Sequence, residues 1–118
     1  MTKLPEPGEL ISFFDSEPTV LDPDVPRAYN SLRFARQSGN ETIECVIGPG
    51  YSQVKFRWID SGTDRVRLNL EGVQEISYKR DAAGELLSLE IDDQQHTHVD
   101  LRMHPRVQVS VHQDPTRP

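Results

Sequence analysis

From Arg27 onward, apolar side chains recur at every second position. Leu32 and Phe34 flank Arg33; Ile43, Cys45 and Ile47 alternate with Glu44 and Val46; Val54, Phe56 and Trp58 alternate with Lys55 and Arg57. Successive side chains of a strand project to opposite faces, so a period of two predicts strands buried on one side. The series continues through Val66, Leu68 and Leu70, a segment around Ile76 and Tyr78, then Leu87, Leu89 and Ile91, then Val99, Leu101 and Met103, and finally Val107, Val109 and Val111. This pattern predicts about eight strands. The breaks between them, QSGN, GPGYS, DSGTD, EG, DAAG, DDQQ and MHPR, are short and mostly contain Gly, Asn or Asp. Such links join antiparallel neighbours, whereas parallel pairing requires a crossover of about a dozen residues. The expected fold is mainly β, an antiparallel meander forming a curved sheet, an open barrel or a sandwich.

The first 26 residues follow a different rule. They hold five of the nine prolines, at positions 5, 7, 18, 23 and 26. Each proline fixes φ and removes a backbone donor, which excludes sustained helix or central strand over most of the segment. In the proline-free interval, Leu10, Ile11, Phe13 and Phe14 fall on one helical face, with Glu9 near the positive end of the helix dipole. One short helix is expected at about residues 9–16, packed against the rest of the chain. The following LDPDVP reads as an extended or turn-rich connector, because residues before proline avoid the helical region. The chain thus divides into an acidic, proline-rich arm (1–26), an antiparallel β-domain (27–112) and a polar tail (113–118).

Charge sharpens this division. The net charge is −6, but residues 1–26 carry Glu6, Glu9, Asp15, Glu17, Asp22 and Asp24 against Lys3, a balance of −5. The other 92 residues hold 13 acids and 12 bases, a balance of −1. An acidic chain without a basic excess argues against nonspecific binding to nucleic acid or anionic membrane and leaves cationic partners open. At 118 residues, one domain is expected. No apolar run approaches the roughly 18 residues of a membrane span, and MTKLPEPGEL lacks the basic and apolar regions of a secretory signal. The expected compartment is the cytoplasm. Cys45 is the single cysteine, so no internal disulfide forms, in keeping with a reducing environment.

Candidate chemistry is sparse. In HTHVDLRMH, His96, His98, Asp100, Arg102 and His104 should face away from Val99, Leu101 and Met103. His96 and His98 with Asp100 have the donor types of a zinc or non-haem iron site, but Arg102 lies beside them and no other strand offers a clear further ligand. Cys45, between Ile43 and Ile47 on one face, reads as a buried small hydrophobe. The serines form no nucleophile elbow, and the GPG at 48–50 lacks the lysine and helix of a phosphate loop. The acid pairs Glu71 with Glu75 and Asp92 with Asp93 lie at strand ends, where solvated turns account for them. The residues assemble no nucleophile, base and oxyanion site, and no cofactor motif, so a non-enzymatic role is expected. Lys55, Arg57, Arg65 and Arg67, joined by Arg33, share an outward basic face crossed by Glu44 and Asp64; Phe56 and Trp58 point inward and leave it without aromatics for base stacking.

The segment FRWIDSGTDRVRLNLEGVQEISY, Phe56 to Tyr78, combines a strand, a hairpin, a second strand and a hydrophobic-glycine-valine bend. It resembles the immunity proteins that bacteria pair with polymorphic or contact-dependent toxins. The resemblance implies a stoichiometric inhibitor that docks on a toxin domain and blocks its active site. An acidic arm suits a basic cleft, because opposite potentials steer encounter; Glu6, Glu9, Asp15, Glu17, Asp22 and Asp24 are the residues expected to make that contact. The alternative is a small-ligand or accessory β-domain whose pocket is lined by Phe34, Phe56, Trp58 and Tyr78, with filled core as the competing reading of those aromatics. The valine-rich RVQVSV near the C-terminus is a candidate edge strand for pairing with a second copy.

Overall fold

The computed structural model describes residues 2–20, 31–104 and 106–113, and among these it forms two antiparallel sheets and one α-helix. The larger sheet runs in chain order through β1 (Thr19–Val20), β2 (Leu32–Ser38), β3 (Glu41–Gly48), β4 (Gln53–Asp60) and β5 (Thr63–Leu70). The smaller contains β6 (Val73–Asp81), β7 (Gly84–Ile91), β8 (His98–Arg102) and β9 (Gln108–His112), also in chain order. Each sheet is a meander, as the short breaks predict. Neither closes on itself, and their inner faces share one core, so the architecture is a sandwich.

Local chemistry sets the hairpins. Ser61 and Gly62 between β4 and β5 both take positive φ, 52° and 81°, the paired left-handed conformation whose twist matches the flanking strands. At the break read as EG, however, the chain does not fold back. It leaves β5 and enters β6 in the other sheet, with the Val73 N–H donating to the Ser52 carbonyl (2.9 Å) and the Asp92 N–H to that of Gly72 (2.9 Å). A two-residue polar break thus serves a crossover between sheets, and the contacts fixing it come from distant residues.

The predicted inward positions supply most of the core: Leu32, Phe34, Ile43, Cys45, Ile47, Val54 and Phe56 from the larger sheet, and Ile76, Leu87, Leu89, Val99 and Leu101 from the smaller, to which Val73 is added from the segment read as a bend. β5 follows the same parity, but Val66, Leu68 and Leu70 are only half-buried, because this outermost strand has a neighbour on one side. Val111, on the opposite sheet's edge strand β9, is 54% exposed. A bulge between β4 and β5 leaves Arg65 without a cross-strand partner, and it reaches Asp60 at 3.4 Å, whereas Arg57 and Arg67 pair across the strands.

Helix α1 spans Pro7–Phe14, two residues earlier than expected. The proline exclusion fails here because the first helical position needs no N–H, and proline's fixed φ is already helical. Glu9 accepts the Glu6 N–H through Oε1 (2.9 Å), and Asp15 ends the helix at φ 52°. Leu10, Phe13 and Phe14 are fully buried; Phe14 stacks on Phe34 with ring centroids 4.9 Å apart and takes Phe13 edge-on at the same distance. The helix touches β2 and β7, one strand from each sheet, and so closes the space between them. Upstream, Thr2 donates to the Gln74 carbonyl (2.6 Å) and Lys3 accepts from the Ile76 N–H (2.9 Å), laying Lys3 parallel to β6 along its edge. No helix among the described residues is long and apolar enough to cross a membrane.

Candidate functional site

The described acidic positions of the N-terminal stretch, Glu6, Glu9, Asp15 and Glu17, lie at or near the two ends of α1, whose apolar face is turned into the core. Glu6 is exposed at the N-terminal end, where half-buried Glu9 is engaged in the cap. Asp15 and Glu17 are exposed at the other end, with Asp15 Oδ2 4.0 Å from Arg36 Nε. The eight residues of the helix set the two groups about 12 Å apart. Asp22 and Asp24 lie outside the described residues. A further acid, Glu85, ties the helix to the smaller sheet: its Oε2 accepts from the Ser12 hydroxyl at 2.9 Å and from the Tyr78 hydroxyl at 2.6 Å, and Arg80 Nε donates to the Tyr78 oxygen at 3.0 Å. Partial burial opposes the charge on Glu85, but the two hydroxyls and Arg80 outweigh it and lower its pKa. No sequence spacing links Ser12 to Glu85, so only the packed fold exposes this tie.

The four aromatics of the alternative pocket do not converge on one open space. Phe34 and Phe56 are 1% and 2% exposed in the core. Half-buried Trp58 pairs across from Val66, and its indole N–H has no hydrogen-bond partner among the described residues. Tyr78 belongs to the other sheet and to the Glu85 network. Cys45 is also in the core, where burial, with Glu44 adding to it, pushes the thiol pKa up to about 12. The native protein should therefore resist a disulfide exchange reagent at pH 8 and release its single thiol only in denaturant; rapid labelling of the folded chain would contradict the burial.

The histidines are arranged differently from the strand reading. β8 begins at His98, and His96 lies in the preceding turn at φ 50°, exposed and off the strand face. The aspartate at 93 claims that turn, accepting from the N–H groups of Gln95 and Thr97 and from the Thr97 hydroxyl. His98 lies between two carboxylates, with Nδ1 2.5 Å from Glu90 Oε1 and Nε2 2.6 Å from Asp100 Oδ1. Asp100 also accepts from the Ser88 hydroxyl at 2.7 Å, and His112 Nε2 approaches its other oxygen at 3.9 Å. Both ring nitrogens of His98 are thus occupied, and among the described residues no group of three or more His, Cys, Asp or Glu side chains is arranged to hold a metal.

Ion pairs divide the basic face of the larger sheet. Arg33 meets Glu44 at 2.7 Å, and Asp64 lies 2.9 Å from Arg57 and 3.8 Å from Arg67. Lys55 has no ion-pair partner among the described residues. A depression of about 290 Å³ opens there between Glu44, Lys55, Arg57, Arg67 and Asn69. Two others lie at the ends of the sandwich: a cleft of about 100 Å³ between Arg36, Glu41, His104 and Arg106, and a broad hollow of about 550 Å³ beside Tyr51, Gln53 and Glu71. Tyr51 is 77% exposed. Charged and hydrogen-bonding side chains line all three hollows.

The whole-chain comparison falls on a solved structure, the contact-dependent growth inhibition toxin–immunity protein complex from Klebsiella pneumoniae 342, with a TM-score of 0.80 to one chain. The two chains share that fold. The match covers 95% of this chain and 96% of the other at 18% sequence identity. The resemblance carried by Phe56–Tyr78 therefore extends, as a likeness of fold, over nearly the whole sandwich and its helix. No family model matches the sequence, and no curated protein does.

Proposed function

We propose that this chain is a non-enzymatic protein-binding module of the immunity type, which docks on a cognate toxin domain and neutralises it. The whole-chain likeness to a member of a toxin–immunity complex carries the reading. Electrostatics supports a basic partner: residues 1–26 hold a net −5, and Glu6, Asp15 and Glu17 are exposed at the ends of a helix that the core holds rigid. A charge fixed on a packed helix steers association without the ordering cost of a loose tail.

The first test is whether a toxin-like reading frame lies immediately upstream of this chain's gene; the toxin domain of such a frame, expressed alone, is then the binding partner. Converting Glu6, Glu9, Asp15, Glu17, Asp22 and Asp24 together to the matching amides should slow association by at least about tenfold at low salt and flatten its salt dependence. A second variant, changing only Asp15, Glu17, Asp22 and Asp24, spares the Glu6–Glu9 cap and separates docking from helix stability. Equal affinity and equal association rate for both variants would remove the acidic positions from the interface.

A further inference from the structure

We infer that β5 is a docking edge for an extended acidic segment of a partner protein, which adds to the larger sheet as a further strand. The backbone makes the first argument. Over Thr63–Leu70, β5 pairs with β4 alone among the described residues. Eight residues of open edge extend about 26 Å, enough for several main-chain hydrogen bonds to an added strand. The β6 edge is treated differently, since Thr2 and Lys3 lie along it.

The inner face makes the second. Val54 and Phe56 on β4 are closed off, at 1% and 2% exposure, whereas Val66, Leu68 and Leu70 beside them are half-open. Alternate apolar side chains of an added strand would cover this row and extend the core by one strand.

Charge selects the occupant. The edge strand and its neighbour, β5 and β4, hold Lys55, Arg57, Arg65 and Arg67 against Asp60 and Asp64, two bases in excess on a chain of net −6. Arg65 and Arg67 on β5 keep side-chain exposures of 56% and 66% despite their ion pairs, so both have room for a further carboxylate. A second copy is the wrong occupant, because antiparallel pairing of β5 with itself sets these arginines against one another, and like charges across strands are unfavourable. An acidic strand meets both needs, apolar on one face and carboxylate on the other. Exposed Tyr51, bordering the hollow next to Glu71 at the end of β5, offers an anchor for its terminus.

This surface lies at the opposite edge of the larger sheet from β1 and stands apart from the docking proposed for α1. The probe is a fluorescein-labelled ten-residue peptide alternating valine and glutamate, with three comparisons: the valine–lysine peptide, the acidic peptide with a central proline, and the full chain carrying Arg65→Glu and Arg67→Glu. Binding is read by anisotropy, and its place by amide shifts and hydrogen exchange of the full chain. The acidic peptide should bind and slow exchange across residues 63–70, and each comparison should weaken binding by at least about tenfold. No binding, equal binding of the lysine peptide, or amide changes on β9 instead of β5 would overturn the proposal. Equal binding of the proline peptide would also overturn it, by showing attraction without strand pairing.

Discussion

Replacing Phe14 by alanine should lower the unfolding free energy by about 3–5 kcal/mol, the loss typical of a large aromatic removed from a closed core. Phe14 is 1% exposed and packed between Phe13 and Phe34, and its helix bridges β2 and β7, so the two sheets have little freedom to collapse into the space left behind. Against a total stability of about 5–15 kcal/mol for such a domain, the variant should melt at least about 10 °C lower, and urea unfolding should show a shifted midpoint with an unchanged slope. Glu17→Gln, on an exposed residue of the same N-terminal stretch, should stay within about 0.5 kcal/mol of the parent. The contrast separates two roles within this stretch: its aromatics hold the sandwich together, while Glu6, Asp15 and Glu17 are left to the solvent. A Phe14→Ala protein within about 1 kcal/mol of the parent would mean that the helix rests on a core already complete without it.

The helix was legible because Leu10, Phe13 and Phe14 repeat at a helical interval, and the strands because Phe34, Cys45, Ile47 and Phe56 repeat at an interval of two. Burial enforces both periods, so both survive in the sequence. Features that depend on contacts distant in sequence leave no such record. Whether EG after Leu70 turns back or crosses to the other sheet is decided by Ser52 and Asp92, far from it in the chain. The bulge at Arg65 breaks the alternation for a single residue, too briefly for a periodic reading to register. His96 looks like a strand residue until the Asp93 carboxylate gathers the turn before β8. For the candidate surfaces, the acids of the N-terminal stretch could be counted and a helix placed between them, but the tie from Ser12 to Glu85 that joins that helix to the smaller sheet could not be foreseen. The open row on β5 shows only once the strand is known to be outermost.

The stability of the smaller sheet should depend on pH through His98, and the sign follows from the geometry. An imidazole facing a carboxylate at each nitrogen must donate from both, and only the protonated ring has two donors. Partial burial works against that charge, but the hydrogen bonds to Glu90 and Asp100 prevail and raise the pKa of His98. A raised folded pKa adds stability that is fully present below the unfolded value of about 6.5 and is lost as pH climbs through the folded value above it. Asp100 runs the other way. Burial pushes its pKa up, Ser88 and His98 more than offset this, and the net shift is downward. Its contribution is present above about pH 3.9 and fades as pH falls through its lower folded value. The two windows overlap between about pH 4 and 6.5, where β7 is held to β8 by a cation between two anions and His112 of β9 lies against the same Asp100. His98→Gln should therefore cost about 1–2 kcal/mol at pH 6, the lower part of the range for charge-assisted bonds because Glu90 is half-exposed and screened by solvent. The cost should shrink steadily toward pH 9 as the parent loses the same proton. Urea denaturation of both proteins across that range measures the difference directly. A constant gap would mean that His98 acts by packing alone, whereas a gap that closes with rising pH identifies the proton itself as the link between the strands.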